Sequence, residues 1–343
     1  MLADASLLVN ASVLVGVALV IGWTGVRLSR LADQLSDRLG LGESIGGTFF
    51  LGAVTSLPEI AASVLAALEG RPALALGNAI GGIALQTTFL AAADIAHRKA
   101  NLEHAAASVP NMIQTGVLIA LLGLVLMGFS GPDVTVGHVH VISPLLVLAG
   151  MAGLWLAWKA RRHPMWKPTK TDETVVDVPE EGQTSASLPR MLVEFGVIAS
   201  VIAVAGGLAA HTSGNIADQT GMNEALAGAL LTGVATSLPE LVTTVAAVRR
   251  GALTLAVSDI VGGSLLDVLL VAIADLAFVG GSIFHARGVG ADESFIAALA
   301  IVLNTVLLVG LLYRQRDGPG KIGFESVTIV ALYLGGFAVL SLL

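Results

Sequence analysis

No cysteine occurs among the 343 residues, so disulfides and thiolate-held metals are excluded, and nothing about a redox compartment follows. Charge is scarce as well. Only 13% of the residues are charged while 55% are hydrophobic, against the roughly 45–50% apolar usage of soluble domains, and the mean hydropathy is +0.84. The net charge of -7 is modest, arises partly from one acidic loop and points to no nucleic-acid partner. The chain lacks HExxH, GxSxG and an aspartate pair at protease spacing, so nothing marks it as an enzyme or asks for a cofactor. It also lacks the apolar–polar alternation of barrel strands, since stretches such as "VGVALVIGW" and "LLVLAGMAGLWLAW" are apolar on all sides. The N-terminal "MLADASLLVN" has no basic segment of a cleaved signal, so the first apolar run is expected to remain as a spanning helix.

What is present is a succession of apolar runs, each long enough to cross a hydrocarbon core of about 30 Å as a helix. They predict an all-α integral membrane protein with ten helices, near 6–28, 43–68, 72–96, 104–129, 139–160, 189–211, 223–248, 252–279, 289–313 and 322–342. One long polar stretch, 161–188, divides an N-terminal five-helix half, 1–160, from a C-terminal half, 189–343. It has too few apolar residues to bury a core and reads as an acidic linker. Of the 18 Lys and Arg residues, all except Arg71 and Arg287 fall on one side of this ten-span plan. The positive-inside rule makes that side, with the linker, cytoplasmic and puts both termini outside. The expected location is a plasma membrane of prokaryotic inner-membrane type, with the bilayer and inorganic cations as partners and no obligatory protein partner.

The halves contain a repeat. "GAVTSLPEIAASVLAALEG" at 52–70 returns as "GVATSLPELVTTVAAVRRG" at 233–251, and "LALGNAIGGIALQ" at 74–86 as "LAVSDIVGGSLLD" at 255–267. The repeats span about 50–96 and 231–277, with about 18 identities in 47 positions, at repeat-level similarity. Because the copies begin five spans apart, the second must cross in the opposite sense. The expected architecture is therefore two inverted five-helix repeats, in which substrate sites lie near the midplane where broken helices meet.

TSLPE supplies the chemistry. Pro58 and Pro239 have no N–H to donate to the carbonyls of Val54 and Ala235, and free carbonyls in hydrocarbon need a partner, which a bound cation can be. Around each kink stand Thr55 and Ser56, or Thr236 and Ser237, followed by Glu59 or Glu240. Helices 3 and 8 add Asn78 and Gln86, or Asp259 and Asp267, each pair eight residues apart and so projecting at roughly 80° to each other. These oxygens are hard ligands, suited to Na⁺, Ca²⁺ or Mg²⁺. A single TSLPE is more often a proline kink with hydroxyls bonded back to the helix. Two copies, with Glu59, Glu240 and Asp267 at comparable depth and an insertion cost of about 2.5–3.5 kcal/mol each, require a cation or shared protons.

In these motifs, G-x-x-TSLPE followed by GN-x-x-G, the sequence resembles the cation/Ca²⁺ exchanger superfamily and, within it, the prokaryotic Na⁺/Ca²⁺ exchangers. The resemblance implies a Na⁺/Ca²⁺ exchanger-like fold and a central Ca²⁺ held by Glu59 and Glu240 with TSLPE carbonyls. It also implies flanking Na⁺ sites using Ser56 and Ser237, and alternating access by sliding of helices 1 and 6. The departures are specific. Gly82 and Gly263 stand where the family pattern has serines, Ile83 and Ser264 where it has asparagines, and Gln86 where Asn or Asp is usual, whereas Asp267 keeps the usual type. The expected activity is secondary antiport of Ca²⁺ against Na⁺. Antiport of Ca²⁺, Mg²⁺ or Mn²⁺ against H⁺ is the alternative, and a passive cation channel the alternative from another class. Among the other polar residues, His97, His104, His138 and His140 read as solvated histidines at helix ends, Asn111, Gln114 and Asn304 as interhelical hydrogen-bond partners, and Asp94 and Asp275 as capping or solvated groups.

Overall fold

A computed structural model describes residues 5–38, 52–96, 104, 106–163, 165, 166, 168, 187–250, 253–315 and 323–342. The described residues are helical almost throughout: α1 (Leu7–Arg38), α2 (Leu57–Leu68), α3 (Pro72–Ala96), α4 (Val109–Ser130), α5 (Ile142–Arg162), α6 (Leu188–Thr220), α7 (Glu224–Thr236), α8 (Leu238–Arg250), α9 (Leu253–Ala277), α10 (Ala291–Tyr313) and α11 (Phe324–Leu340). Seven of these helices are long and apolar enough to cross a membrane, and α7–α8, bent by 51°, makes an eighth if taken as one broken span. α2 and α11 are shorter apolar helices.

Layering follows from the residue patterns. α3 and α9, apolar along most of their length, are the central helices, with 94% and 72% of their apolar stretches buried. α1 and α6 have only 28% of theirs buried and lie against each other at the periphery, where α6 covers α2 and α1 covers α8. The halves interlock, because α4 and α5 pack on α9 while α10 and α11 pack on α3. The contacts of α1 and α6 on the broken helices are reciprocal. A Cβ on Gly25 would come within 2.3 Å of Pro239, and one on Gly206 within 2.4 Å of the Pro58 carbonyl oxygen; both pairs are related by the 181-residue offset of the repeat. Only glycine permits an approach this close.

Several boundaries differ from expectation, among them the start of the fourth helix, at Val109 rather than 104. α1 runs to Arg38 rather than 28, and α6 to Thr220 rather than 211. Hydropathy locates the end of an apolar run, whereas both helices continue through polar but helix-competent turns. In α6 the continuation is packed rather than wet, with Thr212, Ser213, Asn215 and Ile216 buried. The fifth helix starts at Ile142, because 135–140 forms a two-stranded hairpin pairing Thr135 with His140 and Val136 with Val139. The first part of the expected second helix, most of the 161–188 linker and His97 lie outside the described residues.

Polar residues assigned to structure behave so. Asn304 donates to Thr87 Oγ1 at 3.2 Å, and Asn111 accepts from Ser258 Oγ at 2.7 Å. Asp94 accepts from the Gly323 N–H at 3.0 Å, and Asp275 from the N–H groups of His140 and Ile283 at 2.8 and 2.9 Å. Arg71, in the turn between α2 and α3, is paired with Asp218 and, at 2.7 Å, with Glu224. Its hydrogen bond to Asp218 holds the guanidinium above its ordinary value, so it stays charged.

Candidate cation site

The site is built where the two TSLPE segments break their helices. Ser56 closes the turn 52–55 with φ −78° and ψ 4°, and Ser237 ends α7 with φ −89° and ψ 8°. Neither conformation continues an α-helix, and each is followed within two residues by the proline that cannot donate to the preceding turn. The breaks turn Ser56 and Ser237 out of their own helices and toward the opposite half.

Two chains of hydrogen bonds result, and most of their links join the halves. Ser56 Oγ donates to Asp267 Oδ1 at 2.7 Å, Gln86 Nε2 donates to Asp267 Oδ2 at 2.7 Å, and Ser264 Oγ donates to Gln86 Oε1 at 2.9 Å. In the second chain, Ser237 Oγ donates to Glu59 Oε1 at 2.9 Å and Thr236 Oγ1 to Asn78 Oδ1 at 3.3 Å. Asn78 Nδ2 in turn donates to Ser63 Oγ at 2.9 Å and to the Glu59 carbonyl at 3.3 Å. Glu59, Glu240, Asp267, Ser56, Ser237, Gln86, Asn78, Thr55 and Thr236 are all buried.

The carboxylates are not equivalent. Both oxygens of Asp267 already accept a hydrogen bond, and Glu59 Oε1 accepts one. Glu59 Oε2 and both oxygens of Glu240 have no partner among the described residues. Glu240 also lies in electrostatic range of Glu59, Asp267 and Asp259. Unpaired buried carboxylate oxygens are costly, about 1–3 kcal/mol for a polar group and more for a charged one. A hard cation relieves that cost by accepting these oxygens as ligands. The serine hydroxyls use their protons on the carboxylates and keep lone pairs for a cation.

Seven of the ten residues singled out from the sequence therefore join the two chains: Glu59, Asn78, Gln86, Ser56, Ser237, Thr236 and Asp267. Glu240 lies beside them without a hydrogen bond among the described residues. Thr55 turns its hydroxyl back on the Gly52 carbonyl at 3.0 Å, the local bonding that a single proline kink would give. Asp259 is half-buried and accepts from Thr243 Oγ1 at 3.1 Å, so it ties α8 to α9 as Asn78 ties α2 to α3. Ser63, Thr243 and Ser264 were not singled out as site groups. Ser63 and Thr243 lie four and three residues after the repeat glutamates and so on the same helix face, a spacing that could have found them. Gly82 and Gly263 face the site with room to spare, since a Cβ on either would lie 3.8 Å from Ser237 Oγ or 3.9 Å from Gln86 Oε1.

The chain is similar to known proteins over nearly its whole length. The family described as "Sodium/calcium exchanger protein" matches residues 6–158 and 191–342. The inner membrane protein YrbG of Escherichia coli (strain K12) is 26% identical over 97% of this chain and 95% of its own length. The fold is similar to that of the H⁺/Ca²⁺ exchanger CAX, with a TM-score of 0.68 at 14% identity over 97% of this chain and 85% of that one. It is also similar to that of the sodium-calcium exchanger NCX_Mj, with a TM-score of 0.58 at 16% identity over 98% and 100%.

Proposed function

The chain belongs to the sodium/calcium exchanger protein family of membrane cation antiporters, and on that premise we propose that it carries Ca²⁺ on Glu59 and Glu240 in exchange for a monovalent cation. One observation carries this reading: three buried carboxylate oxygens, Glu59 Oε2 and Glu240 Oε1 and Oε2, have no hydrogen-bond partner among the described residues. Ca²⁺ takes about six to eight oxygens, and the serine hydroxyls and the backbone carbonyls at the two breaks supply further ones. Glu59 and Glu240 bind the ion, Ser56 and Ser237 orient the acidic groups and add ligands, and Asp267 with Gln86 braces the crossing of the halves.

The architecture that serves this is ten spans in two inverted repeats, with α2 and α11 counted as spans beside the seven long helices and the bent pair. The reciprocal seats of Gly25 on Pro239 and Gly206 on Pro58 support it. The same seats support alternating access in which α1 and α6 slide over the broken helices. Both termini face outward and the 161–188 linker is cytoplasmic, as the distribution of Lys and Arg requires.

Na⁺ is the counter-ion that the family resemblance implies. A specific observation favours H⁺ as the second reading: at Gly82 and Gly263 no hydroxyl faces the site, and Asp267 already accepts two hydrogen bonds. This leaves few oxygens for a separate Na⁺ shell, while a carboxylate that loses its cation can take a proton. Proteoliposomes with Na⁺ and pH gradients imposed separately, and with Ca²⁺, Mg²⁺ and Mn²⁺ offered in turn, test cargo and driver together. Ca²⁺ uptake against its gradient under one of the two drives is the expected result. Uptake that persists in Glu59→Gln plus Glu240→Gln, or currents far above transporter turnover, would overturn the proposal.

A further inference from the structure

Away from the carboxylates, the loop between α4 and α5 meets the loop between α9 and α10. His140, expected to be a solvated helix-end residue, is instead 2% exposed, and its ring centroid lies 5.0 Å from that of Phe284 and 5.4 Å from that of His285. It is buried because its N–H is drawn in to Asp275 Oδ2, which also accepts from Ser143 Oγ at 2.5 Å. A ring nitrogen of His140, a ring nitrogen of His285 and a carboxylate oxygen of Asp133 all lie within 4.8 Å of one another.

The hydrogen bonds set the tautomer of His285. Its Nε2 lies 3.0 Å from the Gly131 carbonyl, which can only accept, so Nε2 carries the proton. In the neutral ring Nδ1 then presents a lone pair, 3.5 Å from Asp133 Oδ1. A lone pair and a carboxylate oxygen facing each other without a proton repel, and a cation between them removes the repulsion. An imidazole whose far N–H is held by a backbone carbonyl is also the usual posture of a metal-ligating histidine. His140 accepts from the Ile142 N–H on Nδ1 at 3.2 Å and faces the Pro132 carbonyl with Nε2 at 3.2 Å. A metal on His140 takes the place of one of these two bonds.

We propose that Asp133, His140 and His285 form a binding site for a borderline transition-metal cation of the Zn²⁺ class, with a remaining position open to water. Two imidazoles and one carboxylate match the three-ligand sets that Zn²⁺ accepts. They do not match the all-oxygen shell of Ca²⁺, so this site is chemically distinct from the one at Glu59 and Glu240.

Calorimetric titration of Zn²⁺ into the tag-free full chain in lipid nanodiscs, with excess Ca²⁺ present to occupy the transport site, tests it. The wild type should bind Zn²⁺ saturably at one ion per chain. His285→Gln and Asp133→Asn should each weaken binding by about tenfold or more, and His138→Gln, whose ring lies outside the cluster, should not. Asp133 is 54% exposed, so Asp133→Asn keeps its fold and carries the test if His285→Gln does not. A wild type with no saturable Zn²⁺ binding, or a Zn²⁺ affinity unchanged in Asp133→Asn or in folded His285→Gln, overturns the proposal.

Discussion

Gln86 Nε2 donates to Asp267 Oδ2 at 2.7 Å although the two residues are 181 positions apart, which is the offset of the repeat itself. Equivalent positions of the two sequence repeats thus touch. The pair is also where the halves differ chemically, an amide in one and a carboxylate in the other. Two carboxylates at this distance would repel, and two amides would leave out the acid.

The bond makes Gln86 a structural partner of Asp267. Gln86→Ala leaves Asp267 Oδ2 without its donor in a buried site, a loss of about 1–3 kcal/mol. Thermal unfolding in detergent should show the destabilisation. An unchanged melting temperature would mean that water replaces the amide and that the link is not structural.

Glu59 and Glu240 should carry cargo binding. For the wild type, Ca²⁺ at about 100 times its Kd should stabilise the fold by about 2.7 kcal/mol. Glu59→Gln plus Glu240→Gln should abolish that increment, and should not lower stability in the absence of Ca²⁺, because Glu240 gives up no hydrogen bond to the described residues and an amide oxygen at position 59 can still accept from Ser237. Differential scanning with and without Ca²⁺ reads both effects.

Gly82→Ser and Gly263→Ser should fold, since the nearest atoms to the added Cβ are 3.8 and 3.9 Å away, ordinary contact distances. Each places a hydroxyl at the site. The double variant should show a larger share of Ca²⁺ uptake driven by a Na⁺ gradient than the wild type, measured in the same vesicles with a pH gradient as the comparison.

Gly25→Ala and Gly206→Ala should be destabilising in parallel, by the roughly 1–3 kcal/mol typical of overpacking, because each Cβ collides with the proline of the opposite half. Transport should fall with them if α1 and α6 slide over these seats. Unequal losses, one large and one absent, would show that the reciprocity of the two seats is not functional.

Much of the fold and of the site was legible from local chemistry. The apolar runs fall where helices form because an α-helix satisfies every backbone hydrogen bond within one segment, as a bilayer demands. The two TSLPE copies mark the breaks because proline removes a donor wherever it stands. Glu59, Glu240, Ser56 and Ser237 stood out as candidate site residues for the same reason. Less legible were the polar ends of α1 and α6, which hydropathy discounts although they are helical, and the hairpin before α5.

The sequence by itself determined a helical membrane protein with a duplicated, proline-broken acidic motif, because each of those features depends on residues adjacent in the chain. The tertiary structure alone decided how the polar groups are used. Asp267 is occupied by Ser56 and Gln86, Asp259 is turned to Thr243, and the Glu240 oxygens have no partner among the described residues. It also brought His140 and His285 together from loops about 145 residues apart. A hydrogen bond is satisfied by whichever donor packing brings within reach, and in this chain many of the donors at the site come from the other half.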